Sequence, residues 1–197
     1  MFSRKPFVKL GTIITAVAAG LFFASGAFAA ASVTAGLKPL SVQATGTAVT
    51  VSGGCTTPTI SCPAGHACLC MTGTYSIIGN NGFNGGTASL TLGIDLTNLG
   101  DPITAVPSCA PATGVGTISD KKGRQTITFL TSGPVCSTNN TAADVFTGSY
   151  VINGGTGKYS SATGAGTIGA GASFLFVTPP SGNGVPSQAS FNGSVQP

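Results

Sequence analysis

The sequence predicts an all-β domain, a single antiparallel barrel of about eight strands stapled by disulfides. Three observations predict it. Short runs rich in Val, Ile, Thr, Phe and Tyr are separated by Gly, Asn and Pro, and no long helical period is convincing beyond the leader. Segment 87–96 sets Ala88, Leu90, Leu92, Ile94 and Leu96 against Ser89, Thr91, Gly93 and Asp95, a period of two that buries one face. Segment 146–166 alternates through Phe146, Gly148, Tyr150 and Ile152, breaks at Gly154-Gly155-Thr156-Gly157, and resumes as a small-residue run, as in a strand, tight turn and return strand. Strands with one apolar face must bury it in a barrel or a sandwich. A barrel is favoured because closure removes the edges, which so weakly charged a surface could not guard with lysines.

The elements follow in order. Arg4, Lys5 and Lys9 precede an uncharged run over 10–24, and Ala27-Phe28-Ala29 supplies the small residues of a signal-peptidase site. Residues 1–29 therefore read as a signal peptide, with cleavage after Ala31 as second choice and an uncleaved anchor as the alternative. The remaining 30–197 hold one domain with a Cys-rich loop at 55–70 and no linker or repeat. Strands are expected at 42–51, with Thr45, Thr47, Val49 and Val51 on one face, at 69–78 and at 87–96. Segments 114–119 and 125–131 flank Asp120-Lys121-Lys122-Gly123 as a hairpin. Segments 144–152 and 162–170 form the next pair, with 173–177 a continuation past a kink at Gly171; 188–195 closes the set after a proline-rich loop.

Composition narrows the function. Charged residues make up only 6% of the chain, far below the ~25% of an average domain, so solubility rests on Ser, Thr, Asn and Gln. Without the leader, five basic residues face four acidic ones, and Lys121, Lys122 and Arg124 sit in a turn. Nucleic-acid binding has no electrostatic support, and no membrane association is expected once the leader is gone. The location expected is secreted or periplasmic.

Cys55, Cys62, Cys68, Cys70, Cys109 and Cys136 make an even set. Export makes disulfides the default, and six cysteines allow 15 connectivities. Cys68 and Cys70 flank one residue, so each is expected to reach elsewhere. One bridge is expected inside 55–70 and at least one from that segment to Cys109 or Cys136. The competing reading is a metal site from Cys62, His66, Cys68 and Cys70, but the spacing matches no ordinary Cys-x-x-Cys pair and exported thiols oxidise.

Catalytic patterns are sparse. There is no Gly-x-Ser-x-Gly elbow and no Glu, and a triad would have to use His66, the lone histidine. Asp95, Asp101, Asp120 and Asp144 read as strand or turn residues. Gly164-Ala165-Gly166-Thr167-Ile168-Gly169 matches a dinucleotide fingerprint in form, but it lies in a strand with no helix behind it; Gly157-Lys158 lacks the hydroxyl of a phosphate loop. Asn139 and Asn192 begin formal glycosylation triplets in what reads as a bacterial export context. Tyr75, Tyr150, Tyr159, Phe129, Phe146, Phe174 and Phe176 are expected to pack a core before they line a cavity. No catalytic, cofactor-binding or metal-binding residue is assigned.

With Tyr150, Ile152, Gly154-Gly155-Thr156-Gly157-Lys158-Tyr159, Ala162-Thr163-Gly164 and Gly166 in view, the segment resembles the barrel superfamily of allene oxide cyclases and dirigent proteins, as exported bacterial members. The closing Ser190-Phe191-Asn192-Gly193-Ser194-Val195 shares the likeness. The resemblance implies an eight-stranded barrel with a lumen near the size of a small apolar ligand. The expected function is a non-catalytic binding or structural module, with a small apolar molecule as partner. The alternatives are a dirigent- or cyclase-like isomerase using Asp95 or Asp144 with a tyrosine in the lumen, and a self-associating surface protein. Non-reduced protein should give a thiol titration of zero free groups and no bound metal; one reactive thiol among the six would return the metal reading.

Overall fold

Alternating burial runs through eight consecutive segments that close on themselves. The computed structural model describes residues 36–52, 55, 60, 63–97, 109–137, 143–173 and 184–197. The strands are β1 (Lys38–Ser52), β2 (Cys68–Gly79), β3 (Thr87–Asp95), β4 (Cys109–Ser119), β5 (Thr126–Ser137), β6 (Ala143–Thr156), β7 (Thr163–Ser173) and β8 (Val185–Gln196). Each pairs antiparallel with the next and β8 pairs with β1, which gives the closed barrel the alternation predicts. Following paired inward positions from Thr50 through Met71, Leu92, Gly114, Thr131, Tyr150, Gly166 and Gly193 returns to β1 at Leu40, ten residues from the start. That stagger sets the strand tilt that closure requires.

The interior is filled by side chains of unequal size. Ala88, Leu90, Leu92 and Ile94 of β3 all point inward, as their period predicts. Thr45, Thr47, Val49 and Val51 do share a face of β1, and it is the outer one, because Val42, Ala44, Ala48 and Thr50 are buried. Large rings lie where neighbouring positions lack a side chain: a Cβ on Gly116 would strike the Phe129 ring, one on Gly73 the Tyr75 ring, and one on Gly166 or Gly193 the Tyr150 hydroxyl. Phe129, Tyr150 and Phe191 meet with centroids 5.3 to 6.3 Å apart in tilted and edge-on geometry.

The two ends of the barrel differ. At one end the short turns β2–β3, β4–β5 and β6–β7 meet the start of β1 and the end of β8, where Gly36 lies beside Gln196. Here Phe83 and Tyr159 stack at 5.2 Å and are fully buried, and Tyr159 Oη donates to Asn81 O at 3.2 Å. Asn80 and Asn81 donate to Pro39 O at 2.8 and 2.6 Å, which ties the β2–β3 turn to β1. The turn Gly154–Gly157 needs its glycines, since Gly154 and Gly157 have φ of 129° and 62°. The other four connections leave from the opposite, loop-bearing end: β5–β6, which is short, and β1–β2, β3–β4 and β7–β8, which are the long ones.

Several strands run further than their sequence pattern suggests. β4 and β5 extend through Pro111 and Pro134, which face each other. Neither proline breaks a ladder: Pro111 lies beyond the last β3–β4 pair, and Pro134 falls in a gap in the β5–β6 pairing. β7 pairs with both neighbours through Gly171 with no kink. The expected continuation over 174–177, the leader, Asp101, Cys62 and Asn139 lie outside the described residues.

The cysteines require one correction. Cys55 and Cys70 are bridged, as expected within 55–70, but Cys109 and Cys136 are bridged to each other and not to that segment. They are direct partners in the β4–β5 register with Cα atoms 4.0 Å apart, so the hairpin itself brings the pair together. Cys68 is also disulfide-bonded, and no described cysteine is free.

Replacing Gly116 by Ala should destabilise the barrel by about 1–3 kcal/mol in urea unfolding, because the methyl collides with Phe129 and with Ser89 O. Adding Phe129→Leu should recover part of that loss; a double variant as unstable as the sum of the singles would show that the ring does not cause the cost.

Candidate functional site at the loop-bearing end

Two groups of polar residues gather at this end, one on the rim and one inside. On the rim, the chain before β2 runs alongside the end of β3: Leu96 N donates to Ala67 O at 2.8 Å, and Ala67 N donates to Thr97 Oγ1 at 3.0 Å. This extension puts His66 Nδ1 2.7 Å from Asp95 Oδ2, while Asp95 Oδ1 accepts from Thr97 N at 3.0 Å. The Thr97 hydrogen bonds first, and His66 after them, hold the Asp95 carboxyl down at about 2. Asp95 is therefore a carboxylate at any ordinary pH, already engaged on both oxygens.

Beneath this rim lies an apolar pocket of about 200 Å³ on the outer wall, between the Cys-rich loop and β3–β4. Its floor is Gly93, Ile94, Ala112 and Thr113, and Cys55, Ile60, Pro63 and Cys68 cover it. Ile60 is buried because it lies on Gly93, where any side chain would collide with it. The Cys55–Cys70 bridge fixes the loop to β2, so the pocket is covalently framed. Its volume is below the ~300 Å³ at which sites for drug-sized ligands begin, which suits a molecule of a few carbon atoms.

Inside the wall, Asp144 of β6 faces inward and is only 5% exposed. It borders an enclosed void of about 10 Å³ together with Met71, Val135, Phe146 and Ser187, which is room for roughly one water. Ser187 Oγ donates to Gly171 O at 3.0 Å and so accepts from Tyr75 Oη at 3.1 Å. Burial pushes the Tyr75 phenol up. Deeper in, Tyr150 Oη has no hydrogen-bond partner among the described residues, and burial raises its phenol to about 12. Both tyrosines are neutral donors over the physiological range.

The candidate residues therefore separate. Asp144 stands in the lumen beside Ser187, whereas Asp95 stands outside on the rim, so the expected use of Asp95 within the lumen is corrected: it occupies an outward position of β3. Asp120 is a turn residue, accepting from Arg124 N at 2.8 Å. Cys68 and Cys70, two of the thiols that the metal reading requires, are oxidised. Ser187, Thr97 and Ile60 carry no motif. The alternation Ser187, Ala189, Phe191, Gly193 and Val195 places Ser187 inward, a signal hidden by Pro186 at the end of a proline- and glycine-rich stretch. Comparison with protein-family models, curated proteins and solved structures returns no match.

Because the Asp95 carboxyl is lowered from an unfolded value near 4, its hold on the rim should be complete above about pH 4 and lost as pH falls through 2. Amide exchange at Ala67 and Thr97 should be constant from pH 7 to 4 after correction for intrinsic rates, then accelerate below it. In Asp95→Asn that acid step should vanish; a step that persists unchanged assigns it to another group.

Proposed function

We propose that this protein is an exported, disulfide-braced barrel that binds a small apolar molecule at its loop-bearing end without turning it over. The observation that carries the reading is the pocket of about 200 Å³ framed by the Cys55–Cys70 bridge and bordered by Asp95. Its walls are apolar, and its one carboxylate is already engaged by His66 and Thr97. Such a site supplies burial and shape, and its carboxylate, engaged on both oxygens, is not poised to exchange a proton.

Export is supported by the oxidised cysteines and by the leader-like residues 1–29. A barrel free in solution is supported by its wall, with Leu, Ile and Phe inside and Thr, Ser and Gln outside, the reverse of a membrane-spanning barrel. No described helix is long and apolar enough to cross a membrane.

A second reading rests on Asp144. A buried carboxyl beside a water-sized void, next to the Tyr75–Ser187 pair, is the kind of group that could move a proton within the lumen, as a cyclase-like isomerase would require. Resemblance to the dirigent and allene oxide cyclase barrels supports the same reading.

Native mass spectrometry of protein purified from its own host distinguishes the two. A small adduct on the wild type that is lost in Thr113→Trp, which fills the pocket from its rim, with melting unchanged, is the expected result. A clean apo wild type counts against binding at this pocket. An adduct that survives Thr113→Trp and is lost or chemically altered in Asp144→Asn transfers the function to the lumen.

A further inference from the structure

Two grooves meet on the outer wall away from that pocket. One of about 640 Å³ runs over β6, β7, β8 and β1, and one of about 460 Å³ runs over β1 to β4; Thr45 and Gly46 border both. The register makes them one band, because Gly171 pairs with Gln188, Gln188 with Thr45, Thr45 with Ser76, Ser76 with Thr87 and Thr87 with Ser119. At ~4.8 Å per strand this line of outward positions covers about 24 Å. Beside it runs a second line, Thr47, Thr74, Ser89 and Thr117. Among the described residues, the only charged one bordering either groove is Asp144, which is buried on the inner side.

Two glycines of the band, Gly169 and Gly171, differ from the other strand glycines, Gly46 of the band included. At Gly46, Gly116, Gly133 and Gly193 an added Cβ would collide with backbone or ring atoms, so packing forbids a side chain. At Gly169 and Gly171 the nearest described atoms would be 3.5 and 3.8 Å away, and neither residue has positive φ. Nothing described in the barrel requires them to be glycine, although glycine weakens a strand. Their effect is to leave the floor of the larger groove open to close approach from outside.

We propose that this band binds an extended, neutral polysaccharide chain. Hydroxyls and carboxamides each donate and accept, as sugar hydroxyls do, Val145, Pro186 and the alanines of the larger groove suit the apolar faces of sugar rings, and a band with no outward charge among the described residues has nothing to recognise in a charged polymer. Each hydrogen bond to water-exposed groups contributes little, so recognition has to be spread over several sugars along the band. The open floor at Gly169 and Gly171 lets the chain lie against the backbone of β7.

Affinity gel electrophoresis of the intact, oxidised protein tests this, with hydroxyethyl cellulose, galactomannan and dextran as neutral probes and alginate as the anionic one. Retardation by at least one neutral polymer is expected, unchanged in high salt, with none by alginate. Gly169→Trp should abolish it, and Gln188→Ala should weaken it roughly fivefold. Gly169→Ala should melt no lower than the wild type and weaken retardation less than Gly169→Trp does. If Gly169→Trp melts early, Gln188→Ala and Thr45→Val decide. Thr113→Trp, in the separate rim pocket, should leave retardation unchanged. No retardation by any neutral polymer, retardation by alginate alone, or full binding in both groove variants overturns the proposal.

Discussion

Inside the wall, Phe129 occupies the space over Gly116, and Tyr150 the space over Gly166 and Gly193. An eight-stranded wall with a ten-residue stagger has an interior that side chains must fill, and here aromatic rings fill its middle. Rings solve this only if the positions they cover have no Cβ, because a close-packed interior tolerates neither a void nor an overlap. Glycine, ordinarily a poor strand residue, is thereby a packing element here. Gly73, Gly116, Gly148, Gly166 and Gly193 are all tied to this pairing of ring with gap.

Filling the closed half in this way leaves the other end to carry variation. The short turns, the stacked Phe83 and Tyr159, and the asparagines bonded to Pro39 fix one end. The long connections, both defined disulfides, the His66–Asp95 pair and the buried Asp144 all belong to the opposite end. There small lumen side chains, Ala110, Ala112, Ala170, Ala172 and Ser187, stand among Leu69, Met71, Ile94 and Phe146. Covalent bridges replace packing as the means of holding chain to wall.

How much of this could be read beforehand varied with the kind of force involved. Period-two burial in 87–96 and the glycine turn after Ile152 are local, and both were legible. The reach of β4 and β5 was not, because proline ends a strand only where a ladder bond is due, and that depends on the neighbours. The Cys109–Cys136 bridge followed from register, which no spacing rule encodes. His66 met Asp95, far from it in sequence, through an extension of the β2–β3 pairing that the period does not show. The glycines of 164–171 looked like one motif, yet parity divides them: Gly164 and Gly166 face rings or backbone within, while Gly169 and Gly171 face outward.

Gly36 and Gln196 lie side by side at the closed end, so both ends of the described barrel leave the wall on the side away from the loops. The rim pocket, framed by the ends of β3 and the beginning of β4, faces the other way. A label or tether attached directly after Pro197 is thereby kept at the far end of the wall from that pocket, and access to the pocket does not compete with it.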